Sequence, residues 1–373
     1  METLDPFAVV LWMFAVPLGA VVGSFLNVCI WRLPRPGLAI SRPARSHCPS
    51  CGNSIPWHDN VPVFSWLVLA GRCRSCKAPI SVRYLLVESL TAMLFFVIAV
   101  RCFQDGDYAW AEFVVLTVLT SSLIVASVID VDLRILPDEI TLGGMMLVPP
   151  VALLVPGLHT QPPDTFVWRS LSASQGALST IHGYLPSFLT QPSGAAVVAF
   201  LVGALGFVTG LYGFRLYWRS AHPTVANRLR DGLLGGVLLG SVAAIVWLLA
   251  VDPGWILSPR IVSFASALFG MAVGAGLVLA VGIAGTFVFR KEAMGFGDVK
   301  LMGLLGGAAG WTGVLSGFAL ACLLGSIVGV WRLAVLRTRY IWFGPFLATG
   351  CLVVILFPTA VARALDWYLA LFQ

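Results

Sequence analysis

The chain has 373 residues, of which 58% are hydrophobic and only 11% charged, with a formal net charge of +6. A soluble domain carries roughly 25% charged residues, so this composition excludes an ordinary soluble globular protein. The positive excess is scattered between apolar runs, which argues against a nucleic-acid partner and for a role in membrane orientation.

A membrane helix needs about 20 mostly apolar residues to cross the hydrocarbon layer. Runs of that kind lie near 8–30, 85–101, 111–129, 139–156, 195–217, 232–251, 264–289, 299–313, 314–331 and 342–363. They predict an all-α, polytopic integral membrane protein with about ten transmembrane helices. The runs 299–313 and 314–331 are short and broken by glycines and Trp311, so one re-entrant hairpin is the alternative there. The opening METLDPF is acidic and lacks a basic n-region, and Arg32 and Arg35 follow the first run. An uncleaved anchor with its N-terminus outside is therefore expected rather than a signal peptide. Alternation then puts 31–84, 130–138, 215–231, 290–300 and 332–341 in the cytoplasm. Of the 23 Lys and Arg residues, only Arg101, Arg169, Arg260 and Arg363 fall elsewhere. That asymmetry is the positive-inside pattern, and an even number of spans also returns the C-terminus outside.

Five parts follow. Residues 1–30 are the first transmembrane helix and 31–84 a cytoplasmic loop. Residues 85–156 carry helices two to four. Residues 157–260 read as an inserted module with two extra spans and a polar outer segment, and 261–373 as the C-terminal helices.

The first loop contains CPSCGNSIPWHDNVPVFSWLVLAGRCRSC. Cys48 and Cys51 form one C-x-x-C and Cys73 and Cys76 another. Two such pairs converge four thiolates on one tetrahedral zinc, although the gap between them slightly exceeds the commonest roughly 15–20 residues. The bland alternatives are free thiols or a disulfide, and a cytoplasmic setting disfavours the latter. A zinc-stapled loop is expected, because so short a segment has too little core to fold alone. Cys29, Cys102, Cys322 and Cys351 read as apolar packing residues.

Acids inside or beside apolar spans are costly and carry a functional expectation. Asp130 ends the third span in ASVIDVDLRILPDEITL, followed by Asp132, Asp138 and Glu139. Asp298 opens the eighth in GFGDVK. The topology puts Asp130 and Asp298 at the cytoplasmic ends of their spans, at one depth. Two carboxylates at one site share a proton, so one takes a proton from water while the other polarises a carbonyl. Helix capping is the bland reading. It suits Asp138 and Asp298, but not Asp130 at a helix C-terminal end. Gly295 and Gly297 are expected to allow positive φ and close backbone approach beside Asp298.

Taken together, these stretches resemble the bacterial type IV prepilin peptidases. The matching segments are GSFLNVCIWRLP (23–34), the cysteine loop through Glu88 (48–88), IDVDLRILPD (129–138), GFGDVKLMG (295–303) and FGPFLATG (343–350). The resemblance implies a GxGD-type aspartyl protease of the bacterial inner membrane. It would cut the basic leader from prepilins or pseudopilins after a glycine at the cytoplasmic face. It would then methylate the new N-terminus with S-adenosyl-L-methionine. Carried over, the catalytic pair falls on Asp130 and Asp298, with Asp132, Asp138 and Lys300 supporting. For Lys300, plain snorkelling is the competing reading. The methyltransferase candidates are Gly71 and Glu88, on resemblance alone. The gap between the acidic motifs is much longer than members usually have, which is why 157–260 reads as inserted.

Two readings from other classes compete. An ion-coupled transporter would use the two aspartates between broken helices, but the expected internal repeat is missing. A non-catalytic scaffold with a zinc-stapled loop leaves the Gly-x-Gly-Asp and the distant acid unexplained. Membrane lipid is the only other partner expected.

Overall fold

The computed structural model describes residues 5–35, 47–48, 50–104, 109–159, 259–290, 294–337 and 341–370. Residues 160–258 lie outside them. With those go nearly all of the inserted module read at 157–260, both of its apolar runs and the basic stretch 215–231.

The described chain is helical. Long helices are α1 (Pro6–Arg32), α3 (Val82–Cys102), α4 (Trp110–Leu133) and α5 (Asp138–Leu154). After the gap come α6 (Pro259–Phe289), α7 (Phe296–Leu336), α8 (Gly344–Leu356) and α9 (Pro358–Ala370). A short α2 (Phe64–Val68) lies in the cysteine loop. Five of these are long and apolar enough to cross a membrane, or six if the bent α8 and α9 count as one. That agrees with the helical membrane class; the figure of ten rests partly on residues outside those described.

Lipid and core side chains are equally apolar, so helices associate by close packing of small residues. Gly19 and Gly23 do this on α1. A Cβ on Gly19 would sit 2.7 Å from Ala92 Cα, and one on Gly23 2.7 Å from Glu88 Cα. Asn27, one turn on, donates to Gly23 O and to Tyr84 O, sealing α1 against α3. A second seam joins α6 to α7, where a Cβ on Gly306 would meet Gly270 O at 2.0 Å. Backbone cannot yield as a flexible side chain does. Gly306→Val is therefore expected to cost at least the roughly 1–3 kcal/mol typical of overpacking, read as a lower unfolding temperature in detergent.

The helix α7 is two limbs. Gly310 breaks it with φ 72° and ψ 174°, a conformation open to glycine. A Cβ on Gly274 would touch both Met302 O at 2.2 Å and Val314 Cγ2 at 3.1 Å. Twelve residues of straight helix would hold those groups about 18 Å apart, so the chain folds back on itself. The sequence reading put the boundary at 313/314; the break falls at Gly310. His159 lies beside it. Its Nε2–H donates to Gly307 O at 2.8 Å, three residues before the break, and Nδ1 pairs with Ser263 Oγ at 2.7 Å.

The run 342–363 is not one straight span. Helix α8 ends at Leu356 and the chain turns by 100° into α9. Pro358 opens α9 and has no N–H with which to continue the ladder of α8.

Candidate active site

Five elements meet where α4 ends. Asp130 lies in the last turn of α4, whose C-cap Arg134 has a left-handed φ of 60° and returns its N–H to Asp130 O. A carboxylate there opposes the helix dipole. The N-terminus of α8 offsets this, because the Gly344 backbone N–H donates to the Asp130 carboxylate. A Cβ at 344 would lie 2.6 Å from Asp130 Oδ2, so only glycine lets the amide come so close.

Asp298 is the third residue of α7, after the N-cap Gly295. The Gly295 N–H donates back to its carboxylate, as the acid of a capping box does. The capping expected of Asp298 is therefore present. It does not exhaust the residue, since Asp298 also lies within electrostatic reach of Asp130. The two acids approach each other although 168 residues separate them in the chain (298 − 130).

The glycines act differently from expectation. Gly295 has φ −74° and ψ 145°, which is ordinary extended backbone, and Gly297 sits inside the helix, so neither uses positive φ. Close approach does hold for Gly297, whose Cβ would meet Leu136 Cδ1 at 3.2 Å. Among the described residues, a Cβ on Gly295 would meet Asp298 Oδ2 at 3.7 Å and Gly297 N at 4.0 Å, ordinary contact distances, so no close approach requires glycine there. Leu136 is also 3.7 Å from where a Gly344 Cβ would stand. It thus lies between the starts of α7 and α8, beside both acids.

Asp132, Asp138 and Lys300 form a rim. Asp132 pairs with Arg83, and Lys300 Nζ bonds Asp138 Oδ1 at 2.7 Å while lying over the Phe296 ring. Lys300 is therefore engaged by Asp138 across α5 and α7, more than a free snorkelling lysine. Gly344 and Leu136 are the site residues that sequence reasoning missed. Gly344 stands in the quoted FGPFLATG, where a glycine just before proline at a helix start was the available signal.

The four cysteines meet as expected. Their sulfurs all lie within 4.8 Å of one another, and Cys48 Sγ is 3.8 Å from Cys76 Sγ. Tetrahedral zinc with Zn–S near 2.3 Å spaces its sulfurs about 3.8 Å apart, so the set fits. The two knuckles repeat each other. Gly52 N bonds Cys48 O and Cys48 N bonds Asn53 O; Lys77 N bonds Cys73 O and Cys73 N bonds Ala78 O. Gly52 and Lys77, each following a second cysteine, have φ of 71° and 60°. Backbone N–H groups of Cys51 and Ser50 lower the Cys48 thiol to about 6, favouring the thiolate a metal requires. Asp59 takes a bidentate bond from Arg74 at 2.6 Å, clamping the intervening chain to the second knuckle.

Gly71 has φ 66°, and a Cβ on it would strike Trp66 Cζ2 at 2.8 Å. Glu88 is buried and accepts the Val63 N–H at 2.7 Å and a bond from Ser24. Both residues therefore hold α2 in place, one from each side.

Fold and site define a helical membrane protein with paired acids at one helix level and a four-thiolate loop. Residues 18–102 match the bacterial peptidase A24 N-terminal domain, and 226–330 match the type IV leader peptidase family. The second match includes Asp298 but not Asp130. A prepilin leader peptidase/N-methyltransferase of Pectobacterium carotovorum is 35% identical over 215 residues, 51% of this chain and 70% of that protein. One from Myxococcus xanthus is 47% identical over 36% of this chain and only 38% of its own length. One from Pseudomonas putida is 29% identical over 92% of this chain and 89% of its own. No solved structure matches. The chain belongs to the type IV leader peptidase family, and nothing in these matches supports the transporter reading.

Proposed function

We infer that the protein is a multi-pass inner-membrane aspartyl endopeptidase that removes the leader of type IV prepilins or pseudopilins and methylates the exposed N-terminus. What carries this reading is the approach of Asp130 and Asp298 to within electrostatic reach of each other. Of two carboxylates sharing a site, the ionised one takes a proton from water. The protonated one donates to the scissile carbonyl. The protons then exchange as the tetrahedral intermediate collapses and the amine leaves. A prepilin has a basic leader in the cytoplasm and an apolar helix in the bilayer. Its scissile bond, after a glycine, then lies at the level of the helix ends that bear the pair. The positive-inside pattern supports a cytoplasmic site with both termini outside.

The Arg83–Asp132 and Lys300–Asp138 pairs flank the acids and fix the four helices that carry them. Gly344 acts on Asp130 through its amide. Gly344→Ala is expected to displace the carboxylate and lower kcat roughly 10- to 100-fold, with KM for a prepilin little changed. Zinc, held by Cys48, Cys51, Cys73 and Cys76, has a structural role.

When bound, S-adenosyl-L-methionine would supply the methyl group. Glu88 and Gly71 are the candidate residues on the loop side. Near Glu88 the buried Asn27 Oδ1 has no hydrogen-bond partner, an acceptor suited to the donor groups of such a ligand. The test of the whole reading is processing of candidate precursors from the same organism by purified protein. Mass spectrometry of the product should show loss of the leader, with a further methyl mass when S-adenosyl-L-methionine is present. An unchanged precursor mass across all candidates would refute the peptidase; leader loss without a methyl would refute only the second activity.

A further inference from the structure

The stretch VPVFSWLVLA, residues 61–70, has no charged residue, although it belongs to the loop that the charge pattern assigns to water. Within it α2 turns Trp66 inward, packing it on Gly71 and donating the indole N–H to Ile80 O at 3.3 Å. The other face is bare. Phe64 is 70% exposed, Leu67 56% and Val68 78%, with Trp57 at 82%. Exposed apolar side chains clustered this tightly mark a surface that something else covers.

The height of α2 follows from one bond. Its N-cap residue, Val63, is held at φ 65° with its N–H on Glu88 Oε2. The ion pair Arg83–Asp132 marks the charged ends of α3 and α4. Glu88 is five residues further along α3, which at 1.5 Å per residue is about 7.5 Å deeper in the bilayer. The contact of Glu88 with Gly23, well inside α1, agrees with that depth. The Glu88 side chain leans back toward the start of α3, so Val63 is tethered a few ångströms below the Arg83 level, and α2 begins at the boundary between headgroups and acyl chains. Interfacial anchors bury their apolar face about 5–10 Å into the headgroup and acyl boundary, which is the same depth. Arg72 and Lys77, both exposed, follow on the knuckle and suit anionic headgroups.

We propose that residues Val61–Leu69 form a membrane hook. Phe64, Leu67 and Val68 are inserted among the lipids of the leaflet adjoining the cysteine loop, the inner leaflet on the orientation inferred above. A prepilin helix is the other apolar body that could lie there. The Glu88 bond fixes the depth with no substrate present, so lipid is the occupant in the resting protein. The hook and the metal then hold the loop against the bilayer from two sides.

The test uses full-length, zinc-loaded protein in nanodiscs of phosphatidylethanolamine and phosphatidylglycerol, without substrate. The photoreactive residue p-benzoylphenylalanine replaces Phe64, Leu67 or Val68 one at a time, with the exposed Asn53 and Ser54 on the first knuckle as controls. Lipid adducts at each of the three sites are expected at about tenfold or more the control yield. Three independent sites, each checked for zinc content, keep the experiment decisive if one variant misfolds. The same labelling is expected in an Asp298→Asn background, so the result does not depend on the chemistry assigned to the acids. Adduct yields equal to the controls would overturn the hook. So would adducts that form only after a prepilin is added and link to it rather than to lipid.

Discussion

Purified Asp130→Asn protein is expected to leave a prepilin leader uncut, as is Asp298→Asn, each losing at least the roughly 10²–10⁴-fold that a general acid or base contributes. The double variant should lose little more than either single one, because two groups that act as a unit are not additive. Folding should survive. Asparagine keeps an oxygen for the Gly344 amide at 130 and for the Gly295 amide at 298, the bonds that seat these side chains. Each change also removes one of two neighbouring acids, so the unfolding temperature in detergent should hold or rise. Leader removal at the parental rate by either variant would sink the assignment.

Removing zinc should have the second large effect. The loop between α1 and α3 has almost no core: among its described residues from 47 to 81, only Cys48 and Gly71 are buried. Structural zinc contributes about 10–16 kcal/mol in comparable small sites. Chelation, or Cys73→Ser, should therefore open the loop to protease while the membrane helices keep their helical signal. Elemental analysis should find about one zinc per chain in reduced wild-type protein and much less in Cys73→Ser. A loop equally protease-resistant without metal would show that something else holds the knuckles.

Local patterns announced some of this molecule and not the rest. The C-x-x-C pairs specify their own convergence, since the metal's chemistry dictates both spacing and geometry. The ends of α1, α3, α4 and α5 fall within a few residues of the apolar runs, because hydropathy and membrane thickness set them. Hydropathy is blind to direction, however. It could not place the reversal at Gly310 or the 100° turn after Leu356, which depend on single backbone torsions and on a proline. The Gly-x-Gly before Asp298 suggested positive φ, whereas Gly295 is extended and Gly297 makes room for Leu136. The contact of Gly344 with Asp130 joins segments remote in the chain; the glycine before Pro345 marks a helix start but does not name its partner. The same holds for the bond between Val63 and Glu88, which turns an uncharged loop segment into a candidate membrane anchor.

The most direct test is whether positions 130 and 298 touch in the intact membrane. In Asp130→Cys/Asp298→Cys protein in native vesicles, a short bifunctional methanethiosulfonate reagent, which restores the reach that cysteine lacks for a direct disulfide, should link the two peptides, as read by mass spectrometry. The Arg83→Cys/Asp132→Cys protein serves as a positive control and the single-cysteine proteins as negatives. A 130–298 link forming as readily as the control is the expected result. A control that links while 130 and 298 never do would mean that the two carboxylates stand apart and share no substrate.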